Sequence, residues 1–174
     1  DELRDVKREL DRLLRENEEI VERIAETVRR LLEELKKLRD HMVLHEYVNA
    51  AGITKRGVPE KELKEVADTL RKLLKDIERS NKEVEDRLRK LLEEIKESTD
   101  RLREELEEVE KLLRGGKDVE TVLRRVRELS RDNKRRMRRV LEEAKRLAKE
   151  DKERIDKIRK EIEELIKRLK DKAT

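Results

Sequence analysis

LLEELKKLRDHMVLHEYVNAAGITKRGVP, Leu31 to Pro59, starts in one periodicity and passes into another, and the reading of its middle decides the fold. Leu31, Leu35 and Leu38 recur at the three- and four-residue steps that place side chains on one face of a helix. From His41 to Ile53 the text changes. These thirteen positions hold one charged residue, Glu46, in a chain that is 55% charged, together with both histidines and the only tyrosine. Met42, Leu44, Glu46, Val48 and Ala50 would share one side of a strand, and Val43, His45, Tyr47 and Asn49 the other. Such β-branched and aromatic residues suit a strand. Gly52, Gly57 and Pro59 then punctuate the chain.

Outward from this stretch the pattern is helical in both directions. Toward the N-terminus Leu3, Val6, Leu10, Leu13, Ile20 and Ile24 lead into Leu31. Beyond Pro59, whose missing amide donor suits a first helical position, Leu63, Val66, Leu70, Leu73 and Ile77 begin a stripe that continues through Val84, Leu88, Leu91, Ile95, Leu102, Leu106 and Val109 to Leu113. Gly115 and Gly116 stop it. Asp118 is a good N-cap for a third stripe that starts at Val119 and Val122 and ends in Ile155, Ile158, Ile162, Leu165 and Leu169. The predicted helices span about 2–51, 59–114 and 118–172. Short connections make sequential helices antiparallel neighbours, so the expected fold is all-α, a single up-down-up three-helix bundle over 1–174, about 80 Å long.

Composition agrees. The chain has 174 residues, 33% hydrophobic and 1% aromatic, with four glycines, one proline and no cysteine. Heptad-like spacing in a Glu, Lys, Arg and Leu-rich text indicates long helices, whereas disorder would lack the apolar stripe. Without cysteine there are no disulfides or thiolate metal sites. No apolar run approaches the roughly 20 residues of a membrane span, and nothing at the start reads as a signal or transit segment. A soluble protein is expected. Fifty basic against 46 acidic residues give a net charge of +4, with the signs interleaved. The densest basic run, Lys134 to Val140, contains Met137 and Val140 of the apolar stripe and is followed by Glu142 and Glu143, so it reads as a solvated helix face rather than a nucleic-acid patch.

Polar residues interrupt the stripes at matching heights. Asn17 lies about fifteen residues along the first helix. A similar count back from Arg114 reaches Ser98 and Thr99, and one up from Asp118 reaches Asn133, near Ser130. An unpartnered buried amide costs about 1–3 kcal/mol, so Asn17, Ser98, Thr99, Ser130 and Asn133 at one level read as a buried hydrogen-bond network that sets register. The alternative is that they face water. A second, weaker layer joins Ser80 and Asn81 with Asp151.

Near-equal helices with polar layers placed by register resemble de novo designed helical bundles built around internal hydrogen-bond networks. This is a likeness of style and has no single diagnostic motif. The segment RDHMVLHEYVNAAGIT, Arg39 to Thr54, carries a specific resemblance: it is similar over sixteen consecutive residues to the eleventh β-strand of the green fluorescent protein family. His45, Tyr47 and Asn49 match the engineered split-reporter form of that strand. The resemblance implies that Met42, Leu44, Glu46, Val48 and Ala50 face the barrel interior, and that Glu46 lies beside the chromophore and assists its maturation. It also implies a partner, the separately supplied ten-strand fragment, because the chromophore-forming tripeptide is absent from this chain. Completion would be strand addition to an open barrel. The expected setting is a recombinant protein in the cytoplasm of an expression host.

Helix and strand therefore compete for residues 39–54. A first helix ending at Asp40 would leave roughly 24 Å of its partners' seam uncovered. Each exposed side chain among Leu63, Val66, Leu70, Ile158, Ile162, Leu165 and Ile166 would cost about 1.5–3 kcal/mol. Strand preference spans only about 1 kcal/mol per site, so the segment is predicted helical at least to Val48. Extending the stripe buries Met42, His45 and Asn49 and turns Leu44, Tyr47 and Val48 outward. That outer patch would be exposed or would meet a competing helix or another copy of the chain.

Two functions follow from this placement. In one, the bundle cages the strand sequence as helix and releases it to the barrel fragment. In the other, the bundle is a scaffold or oligomeric assembly carrying a passive, always accessible tag. A tag built into a core helix favours the cage. Catalysis has no candidate constellation, and no cofactor is implied. His41 and His45 stand four apart but lack a third placed ligand, and Asn49 stands where the metalloprotease pattern needs a second histidine.

Overall fold

The computed structural model describes residues 2–54, 57–116 and 118–172, with side chains over 2–42, 57–116 and 118–171. It consists of three helices, α1 (Glu2–Thr54), α2 (Glu60–Leu113) and α3 (Val119–Lys172), of 53, 54 and 54 residues. No strand occurs among the described residues. Each helix opens with carboxylates in its first turn, Glu2 and Asp5, Glu60 and Glu62, and Glu120, where they favourably meet the positive end of the helix dipole.

The turns explain the ends. Gly57 has φ +80°, which residues with a Cβ adopt only at a cost. Pro59 sits one residue earlier than expected: its carbonyl accepts from the amides of Glu62 at 3.1 Å and Leu63 at 3.4 Å, and α2 begins after it. At the other end of α2 the bonds tighten to i→i+3, with Arg114 N donating to Lys111 O and Gly115 N to Leu112 O. Gly115 then takes φ +133°. The Asp118 carbonyl accepts from Val122 N, as an N-cap requires.

α1 runs three residues beyond its expected end, passing through Gly52. A glycine inside a helix costs about 1 kcal/mol relative to alanine, which weakens a helix without stopping it. The strand-like text over residues 43–54 therefore has a helical backbone, and tertiary context overrides local preference.

Contacts divide the chain into two compact units. One comprises Asp1–Thr27 with Arg87–Arg146, the other Val28–Asp86 with Leu147–Thr174. Within the first, Leu3, Leu10 and Leu13 of α1 pack with Leu102 and Val109 of α2 and with Val122, Leu123 and Val126 of α3. Lys7 lies against Glu110 and Asn17 against Thr99, while Arg125 lies against Glu105 and Glu108 and Asn133 against Ser98, so α2 runs antiparallel to the other two helices. In the second unit Leu35, Leu38 and Met42 pack with Leu70 and Ile77 and with Ile155, Ile162 and Ile166. Val58 and Leu169 form a smaller cluster with Leu63 and Val66. Full burial of each such side chain is worth about 1.5–3 kcal/mol. Among the described residues the exposed large hydrophobic is Leu32.

Candidate functional site

Residues 39–54, whose sequence pattern is strand-like, form the last sixteen residues of α1. The first four of them are described in full. Met42 is buried in the apolar cluster of its unit, one turn after the fully packed Leu38, as the extended stripe predicts. Arg39 reaches across to α2, where its Nη2 donates to Glu78 Oε1 at 2.6 Å. Both groups are about half exposed, so the pair contributes at most about 1 kcal/mol. It pins the start of the segment beside α2, and nothing in the sequence beyond bundle register signals it. His41 is half-buried. Leu44, Glu46, Val48 and Ala50, and with them His45, Tyr47 and Asn49, have side chains outside the described residues, so the predicted inward and outward sets there rest on the helical backbone alone.

That backbone carries a chemical consequence. Residues two apart lie on one side of a strand but about 200° apart around a helix. Met42, Leu44, Glu46, Val48 and Ala50 cannot form one face while α1 persists. Its amides are also engaged within the helix, so they cannot pair with a strand edge.

The polar layer in the first unit is closed. Asn17 Nδ2 donates to Thr99 Oγ1 at 3.1 Å and to Asn133 Oδ1 at 2.9 Å, and Asn133 Nδ2 returns a bond to Asn17 Oδ1 at 3.0 Å. Ser98 Oγ donates to Asn133 Oδ1 at 2.8 Å. Four of the five expected members thus join all three helices. Ser130 does not join them: it lies nearly one turn before Asn133 and donates to Glu9 Oε1 at 3.2 Å. Glu9 also takes Arg12 at 2.6 Å and Lys134 at 3.2 Å. Burial would raise its pKa, but the hydrogen bonds from Arg12 and Lys134 outweigh burial and hold the carboxyl below its ordinary range. The sequence shows a basic residue near every acid, so this cluster gives no signal above background.

The second layer is open. Asn81 Nδ2 donates to Asp151 Oδ2 at 2.8 Å, and both side chains are buried. Asp151 Oδ1 is buried without a hydrogen-bond partner, and the nearest cation is Arg154 Nη2 at 3.8 Å. Burial pushes this carboxyl above its ordinary pKa, and Glu34 adds to the rise, against the opposing pull of Arg154 and Asn81. Ser80 is only half-buried.

Other chemistry finds little footing. Among the described residues no group of three His, Cys, Asp or Glu is placed to hold a metal ion, and no helix is long and apolar enough to cross a membrane. A shallow groove between α2 and α3 in the second unit, lined by Thr69, Leu73, Leu165, Glu161, Glu164 and Arg168, brings no nucleophile against a base. No protein-family model matches the chain, and neither curated proteins nor solved structures include one similar to it.

Proposed function

We propose that this chain is a designed cage that holds the eleventh strand of a split fluorescent barrel as helix and releases it to complete the ten-strand fragment. The observation that carries this reading is the continuation of α1 to Thr54, through all sixteen residues that resemble the strand. Burial of Met42 in an apolar cluster and the Arg39 bond to Glu78 support it, since both tie the segment to a packed helix rather than to a free linker. Helix and strand use the same amides and scatter the same side chains differently, so the barrel fragment binds only a state in which the segment has left the bundle. Release is then a population shift: a ligand with no affinity for the closed state draws on the small open fraction. A helix competing for the place of α1 would act in the same sense. Once released, Glu46 is the residue whose barrel counterpart acts in chromophore maturation.

The test is to mix the purified chain with the ten-strand fragment and follow fluorescence, beside a free peptide of residues 39–54. The chain is expected to develop fluorescence at least about tenfold more slowly than the peptide, each tenfold corresponding to about 1.4 kcal/mol of closure. A peptide copying residues 28–38 of α1, which lacks the strand sequence, or mild denaturant, should restore the rate. Equal rates for chain and peptide would sink the cage and leave a scaffold with an accessible tag.

A further inference from the structure

We infer that α1 from Val28 onward is a separately releasable arm, which leaves the α2–α3 pair of its own unit while the unit formed by Asp1–Thr27 and Arg87–Arg146 stays closed. Three observations converge on it. The division between the compact units falls between Thr27 and Val28 of α1. At that place the seam is thin: Leu10, Leu13, Asn17, Ile20 and Ile24 are buried at regular steps, then no side chain from Ala25 to Arg30 is fully buried before Leu31 resumes the pattern. Thr27 Oγ1 also donates to the carbonyl of Arg23 at 2.9 Å, a bond that competes with the helix ladder and slightly weakens it.

The polar layers supply the third observation and the asymmetry. In the first unit, withdrawing α1 would break the three bonds of Asn17 and strand its buried partners Thr99 and Asn133. In the second, the buried bond runs from α2 to α3, Asn81 to Asp151, and α1 has no part in it. Asn17 is the one fully buried polar residue of α1 among the described residues. Leu35 of α1 shares an apolar cluster with Ile77 and Ile155, each one turn from that pair, so α1 brings apolar side chains rather than a polar partner there. Among the described residues, the fully buried side chains that the arm gives up are the apolar Leu31, Leu35, Leu38 and Met42, and its Arg39–Glu78 pair is half exposed. It also lets water reach Asp151 Oδ1, an acceptor left without a donor while the unit is closed. Buried acceptors are favoured in states that hydrate them. Glu34 from α1, Asn81 from α2 and Arg154 on α3 itself are the groups around Asp151, and departure of the arm also takes away the repulsive Glu34.

The inference concerns how the chain opens and does not depend on what captures the arm. It is tested on the full chain alone by native-state hydrogen exchange with mass-spectrometric readout. Amides of Leu31–Met42 are expected to exchange at least about tenfold faster than those of Leu10–Ile24, and faster than those of Leu70–Val84 and Asp151–Ile162. Leu38→Ala should speed Leu31–Met42 by about a further tenfold or more, with Leu10–Ile24 changed less than about twofold. Uniform protection along α1 would overturn the inference. So would acceleration of both halves by the same factor in the variant.

Discussion

At the residue scale, the two buried polar layers illustrate opposite uses of a polar atom in a helical core. Asn17 and Asn133 exchange bonds in both directions, so each amide lends the other a donor and an acceptor. Asn17→Ala removes that exchange and leaves Asn133 with the Ser98 hydroxyl alone. Loss of about 2–3 kcal/mol in chemical denaturation is expected, the sum of an unsatisfied buried amide and a small cavity. Asp151 is the reverse case. Its folded pKa lies above the ordinary carboxyl value, so the folded state binds the proton more tightly than the unfolded state does. Its contribution to stability is therefore greatest in acid and is lost as pH rises through the folded pKa. Asp151→Asn removes the charge with little change of shape. The variant should gain stability at neutral pH, and its denaturation midpoint should fall less than that of the parent between mildly acidic and neutral solution. An unchanged pH dependence would show that Asp151 is not the group responsible. Glu9, held below its ordinary value, titrates with the opposite sign: its contribution is present near neutrality and is lost as pH falls through its folded pKa. Comparing parent and variant separates the two.

At the element scale, helix limits were legible to within one to three residues because stripes, glycines and caps are local signals. Gly115 is the clearest of them, since φ +133° is open to glycine and strongly disfavoured for any L side chain. Space is not the obstacle there, as a Cβ would meet nothing nearby. Gly115→Ala should then cost about 1–3 kcal/mol of pure backbone strain, read as a lower thermal midpoint with no change in helical circular dichroism below the transition. The two places where reading the sequence fell short also have physical causes. Gly52 looked like a stop, but glycine only weakens a helix. Ser130 looked like a network member by height alone, yet height fixes only one coordinate. Its position on the circumference of α3 turns it to Glu9, three residues short of Asn133 and on a different azimuth. Counting along helices gives levels reliably, while the direction of each side chain needs the packed structure.

At the scale of the whole molecule, the competing structures of residues 39–54 were visible in the sequence because alternation and heptad spacing cannot both be satisfied by one text. The all-α fold followed from comparing the apolar seam on α2 and α3 with a strand preference several-fold weaker. The pairing of Asn81 with Asp151 was legible as well. Its incompleteness was not, since only the packed structure shows that Asp151 Oδ1 is left without a hydrogen-bond partner.

The spans between packing partners also set a clock. Met42 waits for Ile162 of its cluster, 120 residues further along. A ribosome adding roughly 5–20 residues per second takes about 6–24 s to cover that span. For those seconds the nascent chain has its strand-like segment without the third helix that packs beside Met42. A barrel fragment already in the cell would meet an uncovered segment on each new polypeptide, whereas one added to finished protein would not. Under the proposed caging function, background fluorescence would then follow the order in which the two genes are switched on.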